Sequence, residues 1–408
     1  MTLASGASKV AAPMPLGRRA PEPKAGAGGL ALLRLGFRPF YLLASIFAAL
    51  SIALWTAQYA GWLRAPYLPG PLWHAHEMLF GFTMAVVTGF LFTAVRNWTG
   101  RPTPTGALLA LIALLWIAGR ILVVTPLGWA SAVANTAFPL AVAAGIGVPL
   151  VRAGNRRNYF FIALIVVLAC AVLAVHLVQL AVLDLPGWLG IRIALDVVLF
   201  VMTVMAGRVV PMFTNNAVPG ANARRLPSLE KLVLGATLAV LAADALGLEG
   251  TALVALLAVA ALAHAARLAL WAPGRSRRAP LVWILHAGYA WIPVHLALRA
   301  PAEAGLVPAS LPTHALTLGA IGALTLGMMT RTARGHTGRD LRADGFEVAC
   351  FVLVLAAAAV RVFGPLALPV RYAATVELAA VLWCAAYAIY AVRYWRALTG
   401  PRLDGRPG

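Results

Sequence analysis

The sequence predicts an all-α, polytopic membrane protein of about twelve transmembrane helices, and three observations carry that reading. Of 408 residues, 62% are hydrophobic and only 11% charged, with a mean hydropathy of +0.85. No single soluble core hides that much apolar surface. The apolar residues gather in runs of about 20, the length that crosses a bilayer as a helix. The basic residues concentrate in every second loop, as cytoplasmic loops do. A transmembrane barrel needs short segments of alternating polarity, and none is visible.

The runs fall near 38–60, 75–95, 106–125, 129–151, 159–182, 188–213, 229–247, 250–271, 280–300, 312–332, 345–363 and 371–395. The first follows the turn residues Gly36-Phe37-Arg38-Pro39-Phe40. The second opens on Trp73-His74-Ala75-His76-Glu77 and closes on Arg96-Asn97-Trp98-Thr99-Gly100. The sixth carries Arg192 and Asp196, one turn apart and expected to form an ion pair, and closes through Gly207-Arg208 to Asn215-Asn216. The ninth holds His286 and His295. The tenth opens at His314, carries Gly319, Gly322 and Gly327, and closes on Gly335-His336-Thr337-Gly338-Arg339. Those three glycines permit close helix approach or make room for a flat cofactor. The connections are short, so consecutive helices should be antiparallel neighbours.

With both termini cytoplasmic, 27 of the 33 Lys and Arg lie inside; Arg64, Arg120, Arg192, Arg299, Arg361 and Arg371 make the 6 outside. The net charge of +20 therefore reads as basic cytoplasmic loops facing a lipid bilayer, and no nucleic-acid partner is expected. Residues 1–31, rich in Ala, Pro and Gly, read as a disordered basic cytoplasmic leader. Arg18 and Arg19 hint at a twin-arginine signal, but no short apolar core follows them. Residues 32–396 make the transmembrane domain and 397–408 a short cytoplasmic tail. Cys170, Cys350 and Cys384 have no metal-ligand or redox spacing and read as small buried hydrophobes.

Of eight histidines, five fall at one depth near the outer surface: His74, His76, His176, His295 and His314, with Glu77 beside them. Ionisable and ligand-bearing groups inside hydrocarbon are costly, so the cluster is a candidate metal site. His74 and His76 are about 200° apart around a helix. Either His74 is still in a loop or the two serve different centres. Singly, each histidine is more often a satisfied packing residue; together they suit haem iron or copper. His286 lies lower and on the opposite face from His295, in a second site or none. His264 has no assigned role, and His336 falls in a loop. Glu77 is a candidate proton carrier. Met202, Met205 and Met212 could offer soft thioethers to copper, although packing accounts for them.

At the basic ends, Pro, Gly, Asn and Thr are ordinary turn and cap chemistry. Arg38, Arg96, Arg208, Arg331 and Arg339 could converge on an anion, a haem propionate or a phosphate. No Walker-type phosphate loop and no serine or cysteine nucleophile signature appears, which argues against nucleotide-driven hydrolysis.

The stretches LLRLGFRPFYLLA at 32–44, WHAHEMLFGF at 73–82, RNWTGRPTPTG at 96–106, GRVVPMFTNNAVPGA at 207–221 and THALTLGAIGALTLGMMTRTARGHTGR at 313–339 resemble the NnrS family. The resemblance runs from about residue 32 to the C-terminus. It implies a haem- and copper-containing bacterial inner-membrane protein of about twelve spans, tied to the nitric oxide response and to denitrification. His74, His76 and His314 stand inside the matching stretches; His176, His286 and His295 rest on depth alone. The expected partner is nitric oxide or another small diatomic ligand, with turnover left open. Two rivals remain: a proton- or anion-coupled secondary transporter, and a membrane scaffold for metalloenzyme assembly.

Overall fold

In hydrocarbon no water satisfies a free backbone amide, so a crossing segment must bond its own main chain, and a helix does so locally. A computed structural model describes residues 30–63 and 67–406, and these fold into twelve helical rods with no strand among the described residues. They are α1 Phe37–Tyr59, α2 Gly70–Thr99, α3 Gly106–Leu122, α4 Gly128–Arg152, α5 Phe160–Gln179, α6 Leu189–Ala217, α7 Pro227–Ala245, α8 Thr251–Leu270, α9 Pro280–Glu303, α10 Ser310–His336, α11 Gly345–Ala367 and α12 Tyr372–Thr399. Each matches one predicted run to within several residues. The proposed leader lies almost wholly outside the described residues.

Ten rods are long and apolar enough to cross a membrane. The twelve-span expectation exceeds this by two, for physical reasons. α3 has 17 residues, about 25 Å at about 1.5 Å per residue, against a hydrocarbon core of about 30 Å. α7 has 19 residues but carries Glu230, Lys231 and Asp244. Of the arginines assigned to the outer face, Arg120, Arg299 and Arg361 are buried. Their charges are held within the bundle rather than displayed in loops.

Neighbours in sequence pack as neighbours in space, notably α4 with α5, α8 with α9 and α11 with α12; α12 also closes the bundle against α1. α2 and α10 are the most enclosed rods. Both have the same construction: a short α-helical opening that ends on a histidine or just past one, then a π-helical run, then α-helix. The π runs are Glu77–Thr83, directly after His76, and Ala315–Gly322, directly after His314. Such wide turns are rare and recur at functional sites. No pair of interrupted helices was expected from sequence, because nothing in residue type marks a π run.

The glycines of α10 prove to be packing devices. A Cβ on Gly319 would lie 2.4 Å from the Trp291 ring, and one on Gly322 would lie 2.6 Å from Trp383. They seat tryptophans, which leaves no room there for a flat cofactor. The three cysteines are free.

At its start, α11 carries a capping box: the Asp344 carboxylate accepts from the amides of Phe346 (3.0 Å) and Glu347 (3.3 Å), and Glu347 accepts from the Asp344 amide (2.7 Å). Burial alone would raise the Asp344 carboxyl, but hydrogen bonds from Arg393 and these amides outweigh it and hold it below its usual value. Its contribution is therefore present above the unfolded carboxyl value and lost as pH falls through the lower folded one. Asp344→Ala should cost about 1 kcal/mol of stability, and Asp344→Asn less; thermal denaturation of the purified protein in detergent checks both.

Candidate functional site

The end of the bundle where α2 and α10 begin gathers five histidines, in two pairs and one single. His74 and His76 are both in the helical opening of α2, so they point to different sides and take different partners. That answers one open question of the sequence: His74 is not in a loop, and the two rings face different neighbours.

The first pair joins α2 to α10. The His74 and His314 ring centroids are 6.4 Å apart with planes 12° from parallel. Trp55 of α1 stacks on His74 at 5.0 Å. His314 Nδ1 is 2.6 Å from the Ser310 carbonyl. A carbonyl only accepts, so Nδ1 carries the proton and Nε2 keeps its lone pair. Among the described residues no hydrogen bond reaches Nε2 of either ring, and His74 Nδ1 is buried without a partner. Arg361 of α11 is a charged neighbour of both histidines. Its Nη1 is also buried without a partner.

The second pair joins α2 to α5. His76 Nε2 and His176 Nε2 are 3.2 Å apart. Each ring is anchored through its other nitrogen: His76 Nδ1 lies 2.8 Å from the Glu77 carboxylate and His176 Nδ1 lies 2.9 Å from the Tyr67 hydroxyl. Glu77 also accepts from Arg120 of α3 at 2.5 Å. Arg120 in turn donates to Asn135 of α4, which donates to the Ser131 carbonyl at 2.9 Å. Gly81 makes this possible, since a Cβ there would lie 2.8 Å from the Arg120 guanidinium. An ionised Glu77 can only accept, so His76 Nδ1 donates and His76 Nε2 presents a lone pair toward His176. The structure thus places Glu77 in a buried ion pair with Arg120, against the His76 ring.

His295 of α9 is tied to the opening turn of α10, two residues before His314. Its Nδ1–H donates to the Pro312 carbonyl at 2.8 Å, and its Nε2 is buried with no partner. His286 is elsewhere, 2.9 Å from Thr214 Oγ1. That hydroxyl already donates to the Val210 carbonyl, so His286 Nε2–H donates to it. His264, left without a role, lies between Thr237 (3.1 Å) and Tyr289 (2.7 Å) in a network that includes Arg267 and Glu230. No group of three or more His, Cys, Asp or Glu side chains converges as a ready metal cage among the described residues. The five histidines share one end of the bundle, not one pocket.

Two expectations need correction. Arg192 and Asp196 form no ion pair; Asp196 is instead a neighbour of Asp244, which is bound by Arg299. Burial on the inward face of α6 draws Asp196 away from Arg192, which is exposed. The five inner arginines do not converge. Arg208 bonds Asn158 at 2.7 Å and covers Phe160, and Arg331 stacks over Phe213 at 3.8 Å. Only Arg38, Arg96 and Arg339 gather, around His336 and the C-terminal segment. Nor do they reach the histidine pairs: Arg96 is at the far end of α2 from His74, about 30 Å away at about 1.5 Å per residue. Of the methionines, Met212 is exposed, while Met202 and Met205 join Met328 in lining an apolar cavity of about 100 Å³ between α1, α2, α6, α9 and α10.

Sequence reasoning missed Tyr67, Arg120, Asn135 and Arg361. A signal existed for the two arginines, because each lies inside an apolar run where a charge is costly. Counting them as loop charges hid it.

The fold and these paired imidazoles define a multi-pass helical membrane protein with histidines converging near one end. A family model described as NnrS protein matches residues 31–402, nearly the whole chain, and the chain belongs to the NnrS family. At family level that makes it a membrane protein of the nitric oxide response. No curated protein matches the chain.

Removing one partner of a buried ion pair costs about 3–5 kcal/mol, because the other charge is left unpaired. Arg120→Gln should therefore strongly lower thermal stability in detergent. Arg120→Gln with Glu77→Gln should be less destabilised than the two single variants added together, in a double-mutant cycle.

Proposed function

We propose that the protein binds haem through His74 and His314 and a copper ion through His76 and His176, and so engages nitric oxide in the response to nitrosative stress. The observation that carries this is the arrangement of the imidazoles. His74 and His314 stand with ring centroids 6.4 Å apart and planes 12° from parallel, close enough that one metal centre could be held by both imidazoles. His314 and His295 have the protonated Nδ1 and free Nε2 expected of a ligating histidine, whose ring is oriented by a carbonyl. Two imidazoles on one tetrahedral ion place their donor nitrogens about 3.3 Å apart; His76 and His176 are at 3.2 Å. The Glu77 carboxylate on His76 Nδ1 suits the same role. The donor sets therefore fit both groups.

Held by both His74 and His314, haem would supply electron transfer, and it would take up nitric oxide where the gas displaces one of the two imidazoles. The chain's own residues set the surroundings. Arg361 is placed to hold an anionic substituent beside the first pair, a role the sequence had given to the arginines at the far end. Trp55 fixes the His74 ring. Tyr67 holds the His176 ring and Glu77 the His76 ring, each through Nδ1, which leaves both Nε2 atoms for the ion. The apolar cavity of about 100 Å³ suits a small apolar gas dissolved in the lipid. In this reading α3 and α7 complete twelve crossings, both termini are cytoplasmic, and the histidine end faces the periplasm across the bacterial inner membrane. Haem-linked denitrification is its setting.

Transport has one observation in its favour. The π runs of α2 and α10 form a matched pair of interrupted rods, which marks a binding site between two parts of a transporter.

An optical spectrum and metal analysis of the purified protein test the proposal. Haem and copper near stoichiometry are expected. His74→Ala or His314→Ala should lose most of the Soret absorbance per protein while membrane insertion persists. His176→Ala should lose copper and keep haem. A colourless, metal-free but folded preparation would favour transport, and unchanged haem in both His74→Ala and His314→Ala would refute the pairing.

A further inference from the structure

The end of the bundle opposite the histidine pairs carries a second constellation that metal chemistry does not use. Arg38, the second residue of α1, is 0% exposed. Its Nη1 donates to the carbonyls that close α12, Leu398 at 3.1 Å and Gly400 at 2.7 Å, with Ala397 at 3.5 Å. That is ordinary chemistry for a cation at a helix C-terminus. Its Nε and Nη2, however, are buried with no partner among the described residues. Buried guanidinium donors without acceptors are expensive. The neighbours worsen the balance, since Arg34, Arg339 and Arg402 all act on Arg38 as like charges. Arg96, Arg38 and Arg402 likewise surround His336, whose ring packs 5.6 Å from that of Phe37.

Of the local carboxylates three are committed and one, the exposed Asp340, has no ion-pair partner among the described residues. Glu347 pairs with Arg334, Asp344 with Arg393 and Asp404 with Arg402, each at 2.6 Å. Arg339 finds only the Thr337 hydroxyl, at 2.8 Å. Arg34, Arg96 and Arg396 have no carboxylate partner among the described residues. Beside them opens a polar cavity of about 490 Å³ whose wall carries four arginines, Arg334, Arg339, Arg393 and Arg396, against three carboxylates, Asp340, Asp344 and Glu347; Arg334 and Arg393 are in ion pairs, which leaves Arg339 and Arg396. Ala397, one of the residues whose carbonyl Arg38 reaches, is on the same wall. The segment after α12 is tied across one side: the Leu403 amide donates to the Thr337 carbonyl at 3.1 Å, and Arg402 donates to the His336 carbonyl at 2.9 Å. A helix-terminal loop bias toward positive charge explains exposed arginines in loops. It does not explain a buried, half-satisfied guanidinium next to a polar cavity.

We propose that this cavity binds a phosphate group, held by Arg339 and Arg396 and supported by the charges of Arg34, Arg38 and Arg96. Guanidinium forks match phosphate oxygens in pairs, and a doubly charged anion uses the surplus of positive charge better than a lone carboxylate does. The volume is within the range of small-molecule sites, so the phosphate can be free or carried by a larger molecule. Its position at the basic end of the rods allows a second source, the headgroup phosphate of an anionic lipid. The site is independent of the metal reading.

The test uses the full chain and two probes. In detergent, inorganic phosphate is titrated while thermal stability is followed, against chloride at matched ionic strength. In nanodiscs, phosphatidylglycerol is compared with phosphatidylcholine, and retained lipid is read by native mass spectrometry. Arg339→Gln/Arg396→Gln is the site variant, because neither side chain takes part in an ion pair. Exposed Arg278→Gln is the control. Saturable stabilisation by phosphate, weakened at least about tenfold in the site variant and unchanged in the control, identifies a free phosphate ligand. Selective retention of phosphatidylglycerol, lost in the site variant alone, identifies the headgroup; either result supports the site. Arg339→Lys/Arg396→Lys, which keeps the charge but removes the forks, should bind more weakly than the parent and more tightly than the Gln pair. Equal responses of the parent and the Gln pair to both probes overturn the proposal. Haem and copper content should not change in any of these variants, which separates this outcome from that of the metal assignment.

Discussion

Hydrocarbon offers no hydrogen-bond partner, and that constraint organises this protein. A polar side chain on a membrane-crossing rod must find its complement on another rod. Glu77 shows the result most completely. It binds Arg120, which binds Asn135, and it orients His76, which meets His176. One carboxylate thereby ties α2, α3, α4 and α5 into a single polar seam. The Asp244–Arg299 pair and the Glu230–Arg267–Tyr289–His264 network do the same for α7, α8 and α9. Apolar packing fills the rest, but it is these seams that fix which rods are neighbours.

The two ends of the bundle have separate chemistry. One presents imidazoles, of which His295 and His314 are held at Nδ1 by carbonyls, His76 by a carboxylate and His176 by a phenol, while His74 Nδ1 has no partner among the described residues. The other presents guanidinium groups in excess of carboxylates. The length of α2, with His76 near one end and Arg96 near the other, keeps them apart. A single cofactor does not span that distance, so the two proposed sites are separate.

Much of this was legible in the residues. The number of rods and their limits followed from hydropathy and charge alternation. The pairing of His74 with His314 was legible only as a shared depth, because which faces meet depends on how the rods turn about their axes. The roles of Arg120 and Arg361 were obscured by counting charge per loop, which treats a buried arginine and an exposed one alike. Gly319 and Gly322 could have bordered a cofactor or a tryptophan, and only the positions of Trp291 and Trp383 decide. Arg192 and Asp196 have the spacing of an ion pair, yet the bundle interior outcompetes a partner at the surface.

The π runs of α2 and α10 have a consequence for how such a protein can change. Each wide turn accommodates a surplus residue that an α-helix would not hold. Losing that residue would let the rod wind normally and swing everything on one side of it by about 100° relative to the other. The opening turns, which bear the imidazoles, can thus be re-aimed while the lower stretches keep their lipid-facing and core-facing registers. Descent with single-codon insertions or deletions in these two places would retune the metal end without disturbing the rest of the barrel of rods.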